Sequence, residues 1–384
     1  MNPISDTPKI LLLGDYSNFH RTLATGLRRR GCDVTVMSDG STFMECERDI
    51  DISRHDGKIG GLALAARLMW PLHRHMRGYD IVALRDPNFL ELRPQRTGFF
   101  FRRLLRENRS VFLTALTTDV PFLDMLEAED SPIKYSEWFI DGRPNRLYLQ
   151  DKAQWEGWHL PEMISHNNLI YRNIDGAVSA LYEYHMSLRR VLSPGAYAYG
   201  GIPIDLSKYP LIDPGIPKKV RLFIGRDRRR KLIKGSDIME QACRNVVARH
   251  PDRAELVVVE NVSRKIFFET MFSCHVALDQ IYSYTPATTA LEAMAAGLTA
   301  ISGAEPEYYD FIGERHNFPI VNASPALEPL EKSIEEIVLH PEELRSRGLR
   351  SREFVEKHNH VDVVAGRFLD FWLRRICEKE NKAR

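Results

Sequence analysis

Residues 276–302 constrain the fold of this chain more than any other stretch. Val276-Ala-Leu-Asp279 is an apolar, β-type run that ends in a polar loop. Thr285-Pro286 is then expected to open a short helix, because proline favours the first helical position. That helix carries Glu292, and Gly297 closes it before a second apolar run, Leu298 to Ser302. Such a strand–loop–helix–strand unit brings a helix N-terminus and a carboxylate to the carboxyl edge of a parallel sheet. There α/β folds bind phosphorylated ligands.

The rest of the chain repeats the alternation. Strands are expected at Lys9 to Leu13, Asp33 to Ser38, Tyr79 to Leu84 and Ser110 to Ala115. Helical patterns at Phe19 to Arg30, Leu62 to Met76 and Thr97 to Glu107 separate them. This spacing means βαβ units and a parallel sheet. Residues 120–170 are rich in aromatic and turn residues and show no regular pattern. From Gly200 to Pro217, four prolines and three glycines concentrate as in an interdomain linker. After it the alternation restarts, with strands at Lys219 to Gly225, Glu255 to Glu260 and His275 to Asp279. A helix from Ser236 to Arg249 takes Ser236 or Asp237 as its N-cap. Two helical patterns, Pro341 to His358 and Val361 to Glu380, finish the chain. With 384 residues, two domains are the default: residues 1–202 joined by the helix 361–384, and residues 203–360.

Composition excludes several classes. A net charge of +1 argues against a dedicated nucleic-acid binder. Five widely spaced cysteines suit neither a disulfide framework nor a zinc site, which points to a reducing cytosol. The apolar run Ile10 to Leu13 is too short for a signal peptide, and no stretch approaches a membrane span. A cytoplasmic protein is expected.

Chemistry concentrates in Phe223-Ile-Gly-Arg226 through Lys234-Gly235. Arg226 follows a strand and Lys234 precedes a helix, so a guanidinium fork and an ammonium meet a helix N-terminus, the donor set a diphosphate needs. The same loop also fits a solvated basic surface, and Arg228 to Arg230 are solvated under either reading. Glu292 either accepts the two hydroxyls of a ribose or completes a capping box with Thr289. The Gly14 to Asn18 loop lacks the GxGxxG spacing of a dinucleotide site. Thr117-Thr118-Asp119 faces the ligand edge of the first domain or simply caps a helix. Asp49-Ile-Asp51 resembles a metal-binding pair but reads as a solvated loop. From Ala66 to Arg109, ten arginines stand against four acids, interleaved with Trp70, Phe99, Phe100 and Phe101. That composition suits a surface resting on anionic lipid headgroups, or aromatics in the core with arginines in water.

Together the linker Gly201-Ile-Pro-Ile-Asp-Leu206, the Phe223 to Gly235 loop and Leu291-Glu-Ala-Met-Ala-Ala-Gly297 resemble retaining GT-B glycosyltransferases of the family 4 type. The resemblance implies two Rossmann-like domains facing a central cleft, with the last helix crossing back to the first domain. It implies that Arg226 and Lys234 hold the donor diphosphate and Glu292 the ribose. The Pro286 to Thr289 segment, with Thr288 and Thr289, adds donors, Val262 and Arg264 flank the base, and Gly14 closes on the donor. Two positions depart from the pattern. Tyr284 stands where a second, sugar-contacting glutamate is usual, and Thr117 or Thr118 where a histidine is usual. The resemblance further implies retention without a metal or other cofactor, a nucleotide-sugar donor, and a saccharide or lipid-linked acceptor. No general base is evident, and Asp119 is the carboxylate to test. Alternatives are a catalytically silent nucleotide-sugar-binding subunit, a nucleotide-sugar epimerase, and a metal-dependent transferase using Asp49 and Asp51.

Overall fold

A computed structural model of the chain describes residues 7–40, 46–226 and 231–383. The chain begins with β1 (Lys9–Leu13), α1 (Phe19–Arg29), β2 (Asp33–Ser38), β3 (Ile50–Asp51), α2 (Gly57–Met69), β4 (Ile81–Leu84), α3 (Pro94–Glu107) and β5 (Ser110–Ala115). It continues through α4 (Val120–Glu127), a hairpin of β6 (Phe139–Ile140) and β7 (Arg143–Pro144), α5 (Arg146–Gln150), α6 (Lys152–Trp158) and α7 (Pro161–Tyr171). Then come β8 (Gly176–Ser179), α8 (Tyr182–Val191) and β9 (Tyr197–Tyr199). Past the proline-rich stretch lie β10 (Val220–Arg226), α9 (Lys231–Lys234), α10 (Ser236–Arg249), β11 (Ala254–Glu260), α11 (Arg264–Phe272) and β12 (Val276–Leu278). The remainder is α12 (Thr288–Ala295), β13 (Thr299–Ser302), α13 (Pro306–Ile312), β14 (Val321–Asn322), α14 (Leu327–Leu339), α15 (Leu344–His358) and α16 (Val361–Ala383).

Two compact units result. One comprises Met1–Met125, Ala153–Pro203 and Val361–Arg384, the other Leu126–Lys152 and Ile204–His360. Residues 126–152, placed in the first domain by sequence order, therefore cluster with the second unit. The first unit holds a seven-stranded sheet in the order β3-β2-β1-β4-β5-β8-β9, with every pairing parallel. The second holds a five-stranded sheet ordered β11-β10-β12-β13-β14, again parallel throughout. Both are doubly wound α/β sheets of the GT-B type.

Both faces of each sheet are covered, which is why the strands read as continuous apolar runs. In the first unit Leu11, Leu13, Val82, Leu84, Val111 and Leu113 point to one core with Leu64 and Leu68 of α2 and Phe101 and Leu104 of α3. Intervening Phe112 faces the other way, against Phe371 and Trp372 of α16. The last helix also closes on α1, since a Cβ at Gly26 would lie 2.6 Å from the Val361 carbonyl oxygen. In the second unit Val220, Leu222 and Ile224 face Met239 and Val246 of α10 and Ile334 and Ile337 of α14. Phe223 turns instead to Phe267 of α11.

Local boundaries differ from expectation for physical reasons. The Leu62 to Met76 helix breaks at Pro71, which cannot continue it, and resumes as a 3₁₀ turn at Leu72–Met76. Neither Ser236 nor Asp237 caps α10. Gly235 does, at φ 67°, and a Cβ there would meet Ile281 at 2.4 Å. Asp237 instead pairs with Arg146 at 2.5 Å. Helix α12 starts at Thr288 behind Ala287, not at Thr285-Pro286. The Ser283 hydroxyl donates to the Thr285 carbonyl and accepts from its N–H, fixing a turn before the helix. The irregular 120–170 region contains four helices and a hairpin whose short lengths carry little periodicity.

Candidate functional site

In doubly wound sheets the crevice forms outside the carboxyl ends of the strands, where strand order reverses. In the second unit that point lies between β10 and β12. Lys234, at the end of α9, donates to Asp279 just after β12, at 2.6 Å. Asp279 is nearly inaccessible, and its second oxygen accepts the Ala290 N–H of α12 at 3.4 Å. One buried carboxylate thus ties together the loops after β10 and β12 and the first turn of α12. Arg226 ends β10 on the β11 side. Its Nε donates to Glu260 at 2.7 Å and its Nη1 pairs with Glu240. The two expected diphosphate ligands are therefore held in separate ion pairs at the two ends of the β10–α10 connection. Arg228 to Arg230 lie outside the described residues.

Glu292 sits inside α12, buried, and does not cap it. Its Oε1 accepts from the Tyr209 hydroxyl at 2.7 Å and from Arg264 at 3.3 Å. Burial raises its pKa, opposed by the nearby Arg264 charge. Arg264 in turn lies over the Phe268 ring, 5.1 Å from its centroid. Val262 is exposed beside Asn261, which adopts a left-handed φ of 52°. Thr288 and Thr289 are half-buried in the first turn of α12. Carboxylate, guanidinium, phenol and helix start thus gather within one loop cluster.

Tyr284 is fully buried. Its hydroxyl accepts the Lys134 N–H at 2.9 Å, and the Tyr135 ring packs on it at 5.1 Å between centroids. Tyr135 reaches on to Glu305 at 2.5 Å. These partners come from the 126–152 segment, so Tyr284 anchors that segment to the carboxyl edge of the second sheet. Asp279 announced itself only as the first acid after an apolar strand. Tyr209, in the linker, and Lys134 and Tyr135 gave no sequence signal.

The corresponding point in the first unit lies between β1 and β4. Gly14 takes φ 79° there, and a Cβ would sit 2.9 Å from that of Arg85. Its carbonyl bonds the His20 ring at 2.6 Å, while the other ring nitrogen meets Thr114 at 3.1 Å. Burial lowers the His20 pKa to about 4, so the ring is neutral. Asp15 accepts the N–H groups of His20 and Arg21, and burial raises it to about 6. Arg85 donates to Asp86 at 2.7 Å, and Thr117 donates to the same oxygen at 3.0 Å. Thr118 is half-buried and lends its carbonyl to the Thr117 hydroxyl. Asp119 accepts the Phe122 N–H at 3.0 Å, a helix cap, and the Tyr171 hydroxyl at 2.5 Å. Burial raises it to about 6.

Asp49 and Asp51 serve β2 and β3. Asp49 accepts from Arg28 at 2.6 Å and from the Val36 N–H at 2.7 Å, and Asp51 pairs with Arg48 at 2.6 Å. In the arginine-rich region, Phe100 and Phe101 are core while Phe99 and Trp70 are exposed. Among the described residues, no helix is long and apolar enough to cross a membrane.

No family model and no curated protein matches the sequence. Solved structures do match the fold. Sucrose-phosphate synthase from Thermosynechococcus elongatus aligns with a TM-score of 0.64 at 13% identity, covering 97% of this chain and 100% of that one. Anabaena HepE, solved with UDP and glucose, gives 0.57 at 13% identity over 94% and 98%. A Listeria monocytogenes protein assigned as a UDP-N-acetylglucosamine 2-epimerase gives 0.53 at 14% over 96% of both chains.

Proposed function

We propose that this chain is a glycosyltransferase that moves a sugar from a nucleotide diphosphate-sugar to a saccharide or lipid-linked acceptor, with retention of configuration. The observation that carries it is the carboxyl edge of the second sheet, where Lys234, Arg226 and the start of α12 flank buried Glu292. The neighbour HepE, solved with UDP and with UDP-glucose, supports the donor class. A diphosphate entering this edge takes the place of Asp279 at Lys234 and of Glu240 or Glu260 at Arg226. Those cations and the α12 dipole then stabilise charge growing on the leaving group. Ribose hydroxyls replace Tyr209 at Glu292, with Arg264 and Val262 beside the base. The acceptor hydroxyl loses its proton to the departing diphosphate oxygen, and no metal or cofactor enters. We assign the activity to the cytoplasm, in surface polysaccharide or glycolipid synthesis, with exposed Trp70 and Phe99 resting on an anionic membrane face.

Calorimetric titration of UDP, GDP and ADP, without added metal, tests the reading. One nucleotide is expected to bind in the micromolar range. Arg226→Ala is expected to weaken it by roughly 10- to 100-fold, the equivalent of one charge-assisted contact of about 1.5–3 kcal/mol. No binding to wild type sinks the proposal. The Listeria neighbour favours one second reading, an epimerase, which would turn over the donor with no acceptor present. A catalytically silent subunit, with Tyr284 committed to Lys134, would bind the nucleotide and turn over nothing.

A further inference from the structure

In the first unit a cavity of about 550 Å³ opens among the loops after β3 and β4. Arg54, Lys58, Arg93 and Arg96 line it, against the single acid Glu91. Among the described residues none of these four cations makes a side-chain hydrogen bond or ion pair, whereas the nearby arginines Arg67, Arg85, Arg103 and Arg109 are all paired. Glu91 is directed to Arg85, at 3.5 Å. Two of the unpaired groups converge: Nη1 of Arg54 and Nη1 of Arg96 lie 3.0 and 4.0 Å from the point where a Cβ at Gly61 would stand. Bringing like charges together without a carboxylate between them is unfavourable unless a third, negative group joins them. Gly61 leaves that space open. The first turn of α3, which starts beside the cavity at Pro94 behind Arg93, contains no acid, so its dipole adds to the positive field, whereas Asp56 at the N-cap of α2 offsets that of the other helix. Leu62, one of the lining residues, is 54% accessible, and Ile59, in the same first turns of α2, is 83% accessible.

We propose that this cavity binds a phosphate-class anion, the charged group of the second substrate. The inference rests on the transferase reading for the word substrate and on the cavity alone for the anion. A guanidinium pair spanning Gly61 suits the several oxygens of a phosphate or diphosphate. The anion arrives either on a lipid headgroup, with Ile59 and Leu62 against acyl chain, or on a soluble phosphorylated acceptor.

Inorganic diphosphate is titrated into the full chain at low salt in four forms: wild type, Arg226→Ala with Lys234→Ala to remove the donor-site cations, and that double variant carrying in addition either Arg54→Ala with Arg96→Ala or Gly61→Asp. Binding is expected to survive in the Arg226/Lys234 variant and to weaken at least tenfold when Arg54→Ala with Arg96→Ala is added to it. Gly61→Asp supplies its own carboxylate to the two guanidinium groups. It is expected to lose diphosphate binding with an unchanged or higher melting temperature, which a merely damaged fold would not show. Binding that is already lost in the Arg226/Lys234 variant, or unchanged when the cavity substitutions are added to it, overturns the proposal. Failure of the donor reading is separate: UDP, GDP and ADP then fail to bind while diphosphate still does. Co-sedimentation with phosphatidic acid vesicles, abolished in Gly61→Asp, assigns the anion to a lipid. Diphosphate binding without co-sedimentation assigns it to a soluble acceptor.

Discussion

The two sheets share an architecture but differ in how most of the carboxylates at their carboxyl edges are satisfied, the first keeping the Arg85–Asp86 pair beside carboxyls that have no cation partner. In the first unit, Asp15 and Asp119 are buried among neutral donors, and burial holds both near pKa 6. In the second, carboxylates face cations: Asp279 meets Lys234, and Glu240 and Glu260 meet Arg226. Away from that edge, in the connection from α13 to β14, the second unit holds a further paired carboxylate, Glu314. Burial pushes its pKa up, but hydrogen bonds from Lys357, His358 and the backbone N–H groups of His316 and Asn317 outweigh it and hold the carboxyl well below its usual range. A hydrogen-bonded neutral network makes a rigid edge. Ion pairs at an accessible edge can be exchanged for a ligand's charges, because the exchange replaces one charge-assisted contact by another. This difference is why we propose the second edge as the donor site.

Acid titration should separate the two units. A carboxyl whose folded pKa is depressed stabilises above its unfolded value and loses that contribution as pH falls. A carboxyl whose folded pKa is raised does the reverse: the fold is favoured at low pH and weakens as pH rises from about 4 to about 6. The largest expected effect is at Glu314. Glu314→Ala leaves Lys357 and His358 without their shared partner and should cost on the order of 3–5 kcal/mol in urea unfolding at pH 7. An effect below about 1 kcal/mol would show that the cluster is replaced by water. Next, Asp119→Asn keeps the cap acceptor and removes the titration. The loss of stability between pH 4 and pH 6, on the order of 2–3 kcal/mol from this group, should vanish. Persistence of the full slope would assign it to Asp15 instead.

Smaller effects test the joints. Tyr284→Phe deprives the Lys134 N–H of its acceptor and should cost about 1–2 kcal/mol. Faster amide exchange at Lys134 should accompany it, and unchanged exchange would mean that the Tyr135 ring alone holds the segment. Smallest of all, Asp51→Ala removes a half-exposed pair with Arg48 and should cost under about 1 kcal/mol. Any transfer activity should survive it, and loss of activity together with sensitivity to chelator would revive the metal-dependent alternative.

Much of the fold was legible in the chain. Strands buried on both faces are continuous apolar runs, and long helices carry a clear stripe, so β1, β2, β5, α1 and α10 stand close to where periodicity puts them. Short elements such as α5 and the β6–β7 hairpin offer too few residues for a period to emerge. Residues at the ends of strands were legible as a group, because strand ends in parallel sheets carry the ligand chemistry. Arg226, Lys234 and Glu292 were singled out as candidates from their place around those strand ends, while the side chains that the structure sets against them, Glu240, Glu260, Asp279 and Tyr209, were not. A hydrogen bond such as Tyr209 to Glu292 joins residues 83 apart, and no local pattern encodes it.

By itself the sequence determined the α/β class, the restart of the alternation after the proline-rich linker, and the loops where charge collects. Those follow from local spacing, which fixes which face of each element is apolar. Only tertiary structure decided that residues 126–152 belong with the second unit, that Tyr284 anchors them, and that Arg54 and Arg96 converge over Gly61. Each of these depends on which distant surfaces fit together. That is settled by packing and by the pairing of buried polar groups once the chain has collapsed.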